Sequence, residues 1–224
     1  MTKRLTITID GPAGAGKSTV ARCVAERLGY TYVDTGAMYR AVALQAVRMG
    51  ISPQDEEGMS RLLEETSIVY RSGRTLLNGE DVSEAIRTPQ VTALVSEVAC
   101  IPLVRAFLVE CQRQMGAEGG VVMDGRDVGT VILPEAELKI FLTASLAERA
   151  RRRQLEWQEK GVEASREEVE QEIRARDKMD REREVGPLRI ADDAIIIDST
   201  ELDVDEVVDQ IVQLALAIKG EDTP

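Results

Sequence analysis

The stretch Gly11-Pro12-Ala13-Gly14-Ala15-Gly16-Lys17-Ser18-Thr19 limits the possible folds of this chain more than any other. It matches the pattern G-x-x-x-x-G-K-[ST] at every fixed position. Glycines let the backbone curl so that successive N–H groups point at phosphate oxygens. A lysine at this spacing reaches the β- and γ-phosphates, and the hydroxyl that follows can ligate Mg²⁺. The competing reading is a coincidental glycine turn, and the flanks argue against it. Leu5-Thr6-Ile7-Thr8-Ile9 alternates as a strand does. Val20, Cys23, Val24 and Leu28 recur at helical spacing, and Gly29 supplies a stop. A helix that starts at the loop adds its own partial positive charge to the anion site.

The 224 residues suit one domain, or one with a sizeable insertion. A net charge of −12 argues against broad binding to nucleic acid or an anionic membrane. The chain contains no histidine, which removes the commonest general base and metal ligand. Phosphoryl transfer tolerates that loss because it relies on positioning and charge stabilisation. Cys23, Cys100 and Cys111 lack C-x-x-C spacing and are expected to be reduced residues in helices or the core of a cytoplasmic protein. No apolar run is long enough to span a bilayer, and no secretory leader is expected before the first strand.

Further along, Tyr30-Thr31-Tyr32-Val33 reads as a second strand ending at Asp34, followed by a helix to about Met49 with Val42, Ala46 and Met49 on one face. A short helix is expected from Asp55 to about Glu65, burying Met59, Leu62 and Leu63. Residues 67–71 and 75–77 read as strands around Ser72-Gly73-Arg74, with Asn78-Gly79 as a turn and 81–83 as a third short strand. This small antiparallel sheet is either decoration or a lid over a substrate pocket. Thr88-Pro89 opens a helix that breaks near Cys100-Ile101, before Pro102. Val121-Val122-Met123 and residues 138–142 read as strands. Ser145 with Glu148 and Ser165 with Glu168 predict capping boxes, the first opening a helix to about Lys160. Residues 194–197 form the final expected strand. Asp203 with Glu206 starts the last helix, whose stripe is Val204, Val207, Val208, Ile211, Ala215 and Ile218, before a frayed tail at 221–224. Five apolar runs without polar alternation, interleaved with helices, predict an open parallel α/β sheet covered on both faces.

Arginines are the second informative feature. Arg40 and Arg126 follow strands, where such sheets place ligands. Arg149, Arg151, Arg152 and Arg153 crowd one helix, and Arg174, Arg176, Arg181 and Arg183 the next. A guanidinium holds phosphate bidentately. The helix clusters also fit a solvated face, with i,i+4 pairs Glu148–Arg152, Glu172–Arg176 and Asp177–Arg181. Asp34, Asp124 and Asp127 lie at strand ends, and any of them fits Mg²⁺ assistance through water, helix capping or arginine pairing.

Five blocks carry a resemblance. They are Asp10-Gly11-Pro12 with Gly14 to Ser18, Asp34-Thr35-Gly36-Ala37-Met38-Tyr39-Arg40, Ile86-Arg87-Thr88, Asp124-Gly125-Arg126-Asp127-Val128-Gly129-Thr130, and Arg176-Asp177-Lys178-Met179-Asp180-Arg181. In this order, over essentially the full chain, they resemble the bacterial cytidylate kinases. The resemblance implies a phosphate-loop nucleoside-monophosphate-kinase fold, with a five-stranded parallel sheet flanked by helices. It implies a core at residues 1–50, 84–150 and 184–220, an antiparallel insertion in the monophosphate-binding region at about 51–83, and a lid at about 151–167. The implied reaction passes the γ-phosphoryl group of ATP, with Mg²⁺, to CMP or dCMP. Residues 11–19 and Arg153 are then expected at ATP, and Ser18 at the metal. Lys17, Arg126 and Arg183 are expected to be catalytic. By the same resemblance Ser96, Arg105 and Asp127 match cytosine contacts. Thr35, Arg40, Arg126 and Arg183 match monophosphate contacts, and Arg176 and Asp180 match ribose contacts. Thr35 fills a slot where relatives often carry Ser, so the hydroxyl is kept. On residues alone, Ser96 looks neutral and Arg105 looks like a surface arginine. A monomer without nucleic-acid or membrane partners is expected. The alternatives are a UMP/CMP- or shikimate-type kinase, or a nucleotide-dependent switch, although no Asn-Lys-x-Asp motif is present.

Overall fold

The structure is a computed structural model that describes residues 4–71, 73–159 and 161–221. Ser72 of the expected turn, the expected helix end at Lys160 and the tail residues 222–224 lie outside the described residues. The chain divides into two units, one of Met1–Tyr32 with Glu118–Pro224 and the other of Val33–Ala117.

The first unit is built on a five-stranded sheet. Its strands are β1 (Thr6–Asp10), β2 (Thr31–Asp34, which hands the chain to the second unit), β6 (Val121–Gly125), β7 (Leu138–Thr143) and β8 (Ile195–Asp198), in the order β2-β6-β1-β7-β8. β1 is central and runs parallel to both β6 and β7. Ile7, Thr8 and Ile9 are fully buried, as a strand covered on both faces requires. The register sets Asp10 opposite Gly125, so the carboxyl ends of β1 and β6 lie side by side. Helices α1 (Lys17–Leu28), α6 (Leu146–Glu159), α7 (Arg166–Glu182) and α8 (Val204–Glu221) belong to this unit. α8 buries Val207, Val208, Ile211 and Ala215, while Val204 is exposed.

Several expectations change here. β8 is an edge strand that exposes Ile195 and Ile196, so its apolar run is not covered on both faces. An edge strand has a neighbour on one side only, and composition does not reveal that. The box at Ser145 is half formed. Glu148 N–H donates to Ser145 Oγ at 3.3 Å, but the Glu148 carboxylate is taken by Arg151 and Arg152 at 2.7–2.8 Å. Those hydrogen bonds hold its pKa down at about 2. The box at Ser165 and Glu168 is complete, and Asp203 and Glu206 exchange reciprocal bonds at the start of α8.

The second unit contains α2 (Thr35–Met49), α3 (Glu56–Glu64), α4 (Pro89–Val98) and α5 (Pro102–Gly116). They pack around a core that includes Met38, Val42, Met59, Leu62, Leu77 and Leu108. The exception on α2 is Met49, which is 42% exposed at the last turn. A three-stranded antiparallel sheet, β3 (Ile68–Arg71), β4 (Arg74–Leu77) and β5 (Glu80–Asp81), belongs to the same unit. Asn78 and Gly79 both take positive φ, 51° and 85°, which is what a two-residue hairpin with the sheet's own twist demands. β5 therefore begins at Glu80, one residue before the expected strand. Thr88 caps α4 and Pro89 fills its first position. No single described helix is long and apolar enough to cross a membrane. The pair α4 and α5 passes such a test together, but it is bent by 98° and buries Val91, Val98, Val104 and Leu108 in the unit's core.

Candidate active site

The phosphate loop joins β1 to α1, and its backbone explains its glycines. Gly11 has φ +154°, and a Cβ there would lie 2.0 Å from the Leu142 carbonyl oxygen. Gly14 and Gly16 take left-handed φ of 74° and 87°, and Gly16 precedes the first residue of α1. Lys17 Nζ is buried and donates to the Pro12 carbonyl at 2.7 Å, closing the loop on itself. Burial, and then the charge of Arg126, pull the Lys17 pKa down from 10.5 to about 7.

Ser18 Oγ donates to Asp124 Oδ2 at 2.9 Å, and the Tyr32 hydroxyl donates to Asp124 Oδ1 at 2.8 Å. The three strand-end aspartates thus part ways. Asp124 stands beside the hydroxyl expected at the metal. Asp34 caps α2 through Ala37 N–H at 2.8 Å and pairs with Arg40 at 2.9 Å. Asp127 pairs with Arg183 at 3.1 Å. Arg126 Nε donates to Asp180 Oδ2 at 2.7 Å, with Arg183 3.8 Å from the other oxygen of Asp180. Burial alone would lower the Arg126 pKa, but Asp180 and Asp124 hold it up; the Arg126 charge keeps Asp180 ionised against its own burial. Arg176, one turn before Asp180 on α7, adds to the positive field felt by Lys17 and Asp180. The first unit therefore brings Lys17, Ser18, Arg126, Asp127, Arg176, Asp180 and Arg183 into one network.

Beside the loop, a cavity of about 740 Å³ is lined by Gly14, Gly16, Thr19, Arg152, Arg153 and the segment from Ser199 to Asp203, among others. Arg152 is fixed there by the Ser199 carbonyl at 2.6 Å and Ser199 Oγ at 3.0 Å. Arg153 donates to Glu156 at 3.0 Å and lies 5.6 Å over the Trp157 ring.

The remaining expected residues lie in the second unit. Thr35 and Arg40 sit in the first turns of α2, where the Asp34 cap places them, with Gly36 beneath the Asp34–Arg40 pair. Ser96 is half-buried on α4. Arg105 is not the surface arginine that its sequence context suggests. It is 2% exposed on α5, and its Nη1 donates to the Tyr39 hydroxyl at 3.2 Å.

Sequence reasoning missed four features. Asp10 is buried and accepts from Val128 N–H at 3.0 Å and Gly129 N–H at 2.7 Å, pinning the π-helical turn Val128–Ile132 just after Asp127. Tyr32 orients Asp124. The segment after Ser199 has no residue motif. Spacing matches Asp177 to Arg181, but it pairs with Arg149 at 2.6 Å, and Glu172 lies 4.0 Å from Arg153. The carboxylate just before Gly11, at a strand end, was the available signal for Asp10.

A glycine cradle with a buried lysine at the end of the central parallel strand, and carboxylate-held arginines beside it, defines a phosphate-loop kinase. The family model described as cytidylate kinase matches residues 7–217. The cytidylate kinase of Carboxydothermus hydrogenoformans is 55% identical over 93% of this chain and 96% of its own length. That of Desulfitobacterium hafniense is 54% identical over 96% and 94%. That of Bacillus anthracis is 49% identical over 97% and 99%. A solved structure of an uncharacterised protein from Eubacterium ventriosum shares the fold, with TM-score 0.52 and 16% identity over 96% of this chain and 99% of that one. The chain belongs to the cytidylate kinase family, and as a member it is an ATP-dependent nucleoside monophosphate kinase.

Proposed function

We propose that this enzyme transfers the γ-phosphoryl group of ATP to CMP or dCMP, giving ADP and CDP or dCDP. The observation that carries the donor side is the phosphate loop with Lys17 buried behind it and Ser18 bonded to Asp124. In this reading residues 11–19 form the ATP site, with the N–H groups from Gly14 onward facing the triphosphate, and Lys17 exchanges Pro12 for phosphate oxygens. Ser18 Oγ with the adjacent Asp124 carboxylate is a hard-oxygen pair of the kind Mg²⁺ takes. An ion held by these two residues would supply positive charge to the phosphate oxygens of bound ATP. Arg126 and Arg183 are proposed to stabilise charge spreading over the transferring group. Asp180 and Asp127 hold these guanidiniums oriented before substrate arrives. The acceptor is an ionised phosphate oxygen, so no side chain need remove a proton, which suits a chain without histidine.

For the acceptor, Thr35, Arg40, Arg126 and Arg183 are assigned to the monophosphate and Arg176 and Asp180 to the ribose. Ser96, Arg105 and Asp127 are assigned to cytosine. Among the described residues the buried Nε of Arg40 has no hydrogen-bond partner, which leaves a donor for an incoming acceptor. Burial of Arg105 supports its assignment, because a surface arginine would have no reason to lose its water. Residues 51–83 are assigned to the monophosphate-binding insertion and 151–167 to a lid. Arg153 must release Glu156 to reach the donor. The enzyme is assigned to the cytoplasm as a monomer, and its net charge of −12 argues against nucleic-acid or anionic-membrane partners. The test is ADP formation with CMP, dCMP, UMP, AMP and shikimate as acceptors. Cytosine nucleotides are expected to give the highest kcat/KM; preference for any other acceptor overturns the substrate assignment.

A further inference from the structure

Arg149 on α6 and Asp177 on α7 form an ion pair 2.6 Å long, with side chains only 8% and 6% exposed. Neither residue is assigned to a substrate above. Both hold the same residue of the phosphate loop. Asp177 Oδ1 accepts the Ala13 N–H at 3.0 Å, and Arg149 Nη1 donates to the Ala13 carbonyl at 2.9 Å. Arg149 Nε donates to the Ala144 carbonyl at 3.0 Å, so the guanidinium is itself tied to the end of β7. The backbone of α6 also touches the loop, since a Cβ on Gly14 would lie 3.0 Å from the Arg149 carbonyl oxygen.

We propose that Arg149 and Asp177 are positioning residues for the phosphoryl donor. They fix both polar groups of Ala13 and thereby set the placement of the amides from Gly14 onward, without touching the nucleotide. The Ala13 N–H is committed to Asp177, so the phosphate cradle begins at Gly14. A loop between a strand and a helix has no ladder to hold its amides in place. Here a buried charge pair supplies that constraint from two other helices. Misplacing such a cradle by about 1 Å is enough to cost orders of magnitude in rate. A residue that merely supported the fold would alter stability and leave the two substrates equally affected.

The inference rests on reading the loop as the ATP site, and its tests separate the two. Arg149→Lys keeps the charge but cannot span Ala13, Ala144 and Asp177 together. Asp177→Asn keeps one oxygen for Ala13 but opposes an amide to the guanidinium. Each variant is expected to raise the KM for ATP about tenfold or more, with the KM for CMP within about twofold of the parent. Folded variants whose ATP KM stays within about twofold of the parent overturn the proposal. Amide exchange in the parent protein gives an answer even where a variant fails to fold. Without nucleotide, the Ala13 amide is expected to be protected while those of Gly14 and Gly16 exchange freely. Exchange of Ala13 as fast as Gly14 overturns the proposal. Failure of the parent to bind ATP-Mg²⁺ would instead overturn the donor assignment.

Discussion

Lys17 should take up a proton when ATP binds. In the free enzyme its ammonium is buried, faces the charge of Arg126 and donates to the Pro12 carbonyl, with Asp124 and Asp180 offsetting part of that cost. Its pKa of about 7, against 10.5 for an ordinary lysine, leaves roughly one molecule in ten protonated at pH 8. A triphosphate beside it restores the charged form, so binding at pH 8 should take up a large fraction of a proton. The sign follows for stability as well. Between about pH 7 and 10.5 the unfolded chain holds a proton on this lysine that the folded, nucleotide-free protein lacks. Ligand-free stability therefore gains from this group as pH rises through that window, while ATP affinity falls. The assay is titration calorimetry of ATP-Mg²⁺ binding at pH 8 in buffers of different ionisation enthalpy, with Lys17→Ala as the control. The slope of observed enthalpy against buffer enthalpy counts protons. A parent slope under about 0.2, or an equal slope in Lys17→Ala, would refute the reasoning.

Four other outcomes are expected. Lys17→Ala and Arg126→Ala should each lower kcat by about 10²–10³-fold or more, measured by coupled ADP release. Gly11→Ala places a methyl 2.0 Å from the Leu142 oxygen and should cost at least about 3 kcal/mol in denaturant unfolding. Asp10→Ala strands the Val128 and Gly129 amides and should cost about 2–4 kcal/mol by the same measurement. Burial holds the Asp10 carboxyl at about 6 rather than 3.8, so the folded protein keeps a proton that the unfolded chain has lost. That contribution declines as pH climbs through the window, and Asp10→Asn should remove this group's share of the slope from the unfolding profile.

The parts of this enzyme legible in its sequence are those whose chemistry is local. The phosphate loop announces itself because its backbone conformations admit few residues besides glycine at 11, 14 and 16. Asn78-Gly79, Thr88-Pro89 and the Ser165 box are likewise short-range devices, and each forms where the spacing puts it. What a side chain meets across the fold is not local. Helical spacing offered Arg181 to Asp177, but the tertiary partner Arg149 lies on another helix. Arg105 was placed at cytosine by family resemblance, yet only the fold shows that it is buried. Apolar runs do not distinguish β1, sealed on both faces, from β8, which exposes Ile195 and Ile196.

The central claim is that amides at the head of α1 hold a triphosphate while arginines hold the phosphate of a cytosine nucleotide. A crystal structure with CMP and a non-hydrolysable ATP analogue tests it most directly. The account predicts the triphosphate on the amides from Gly14 onward with Lys17 at the β- and γ-oxygens, the CMP phosphate on Arg126 and Arg183, and the base against Ser96, Arg105 and Asp127. Either nucleotide bound elsewhere, with those groups still in their ligand-free pairs, would contradict it.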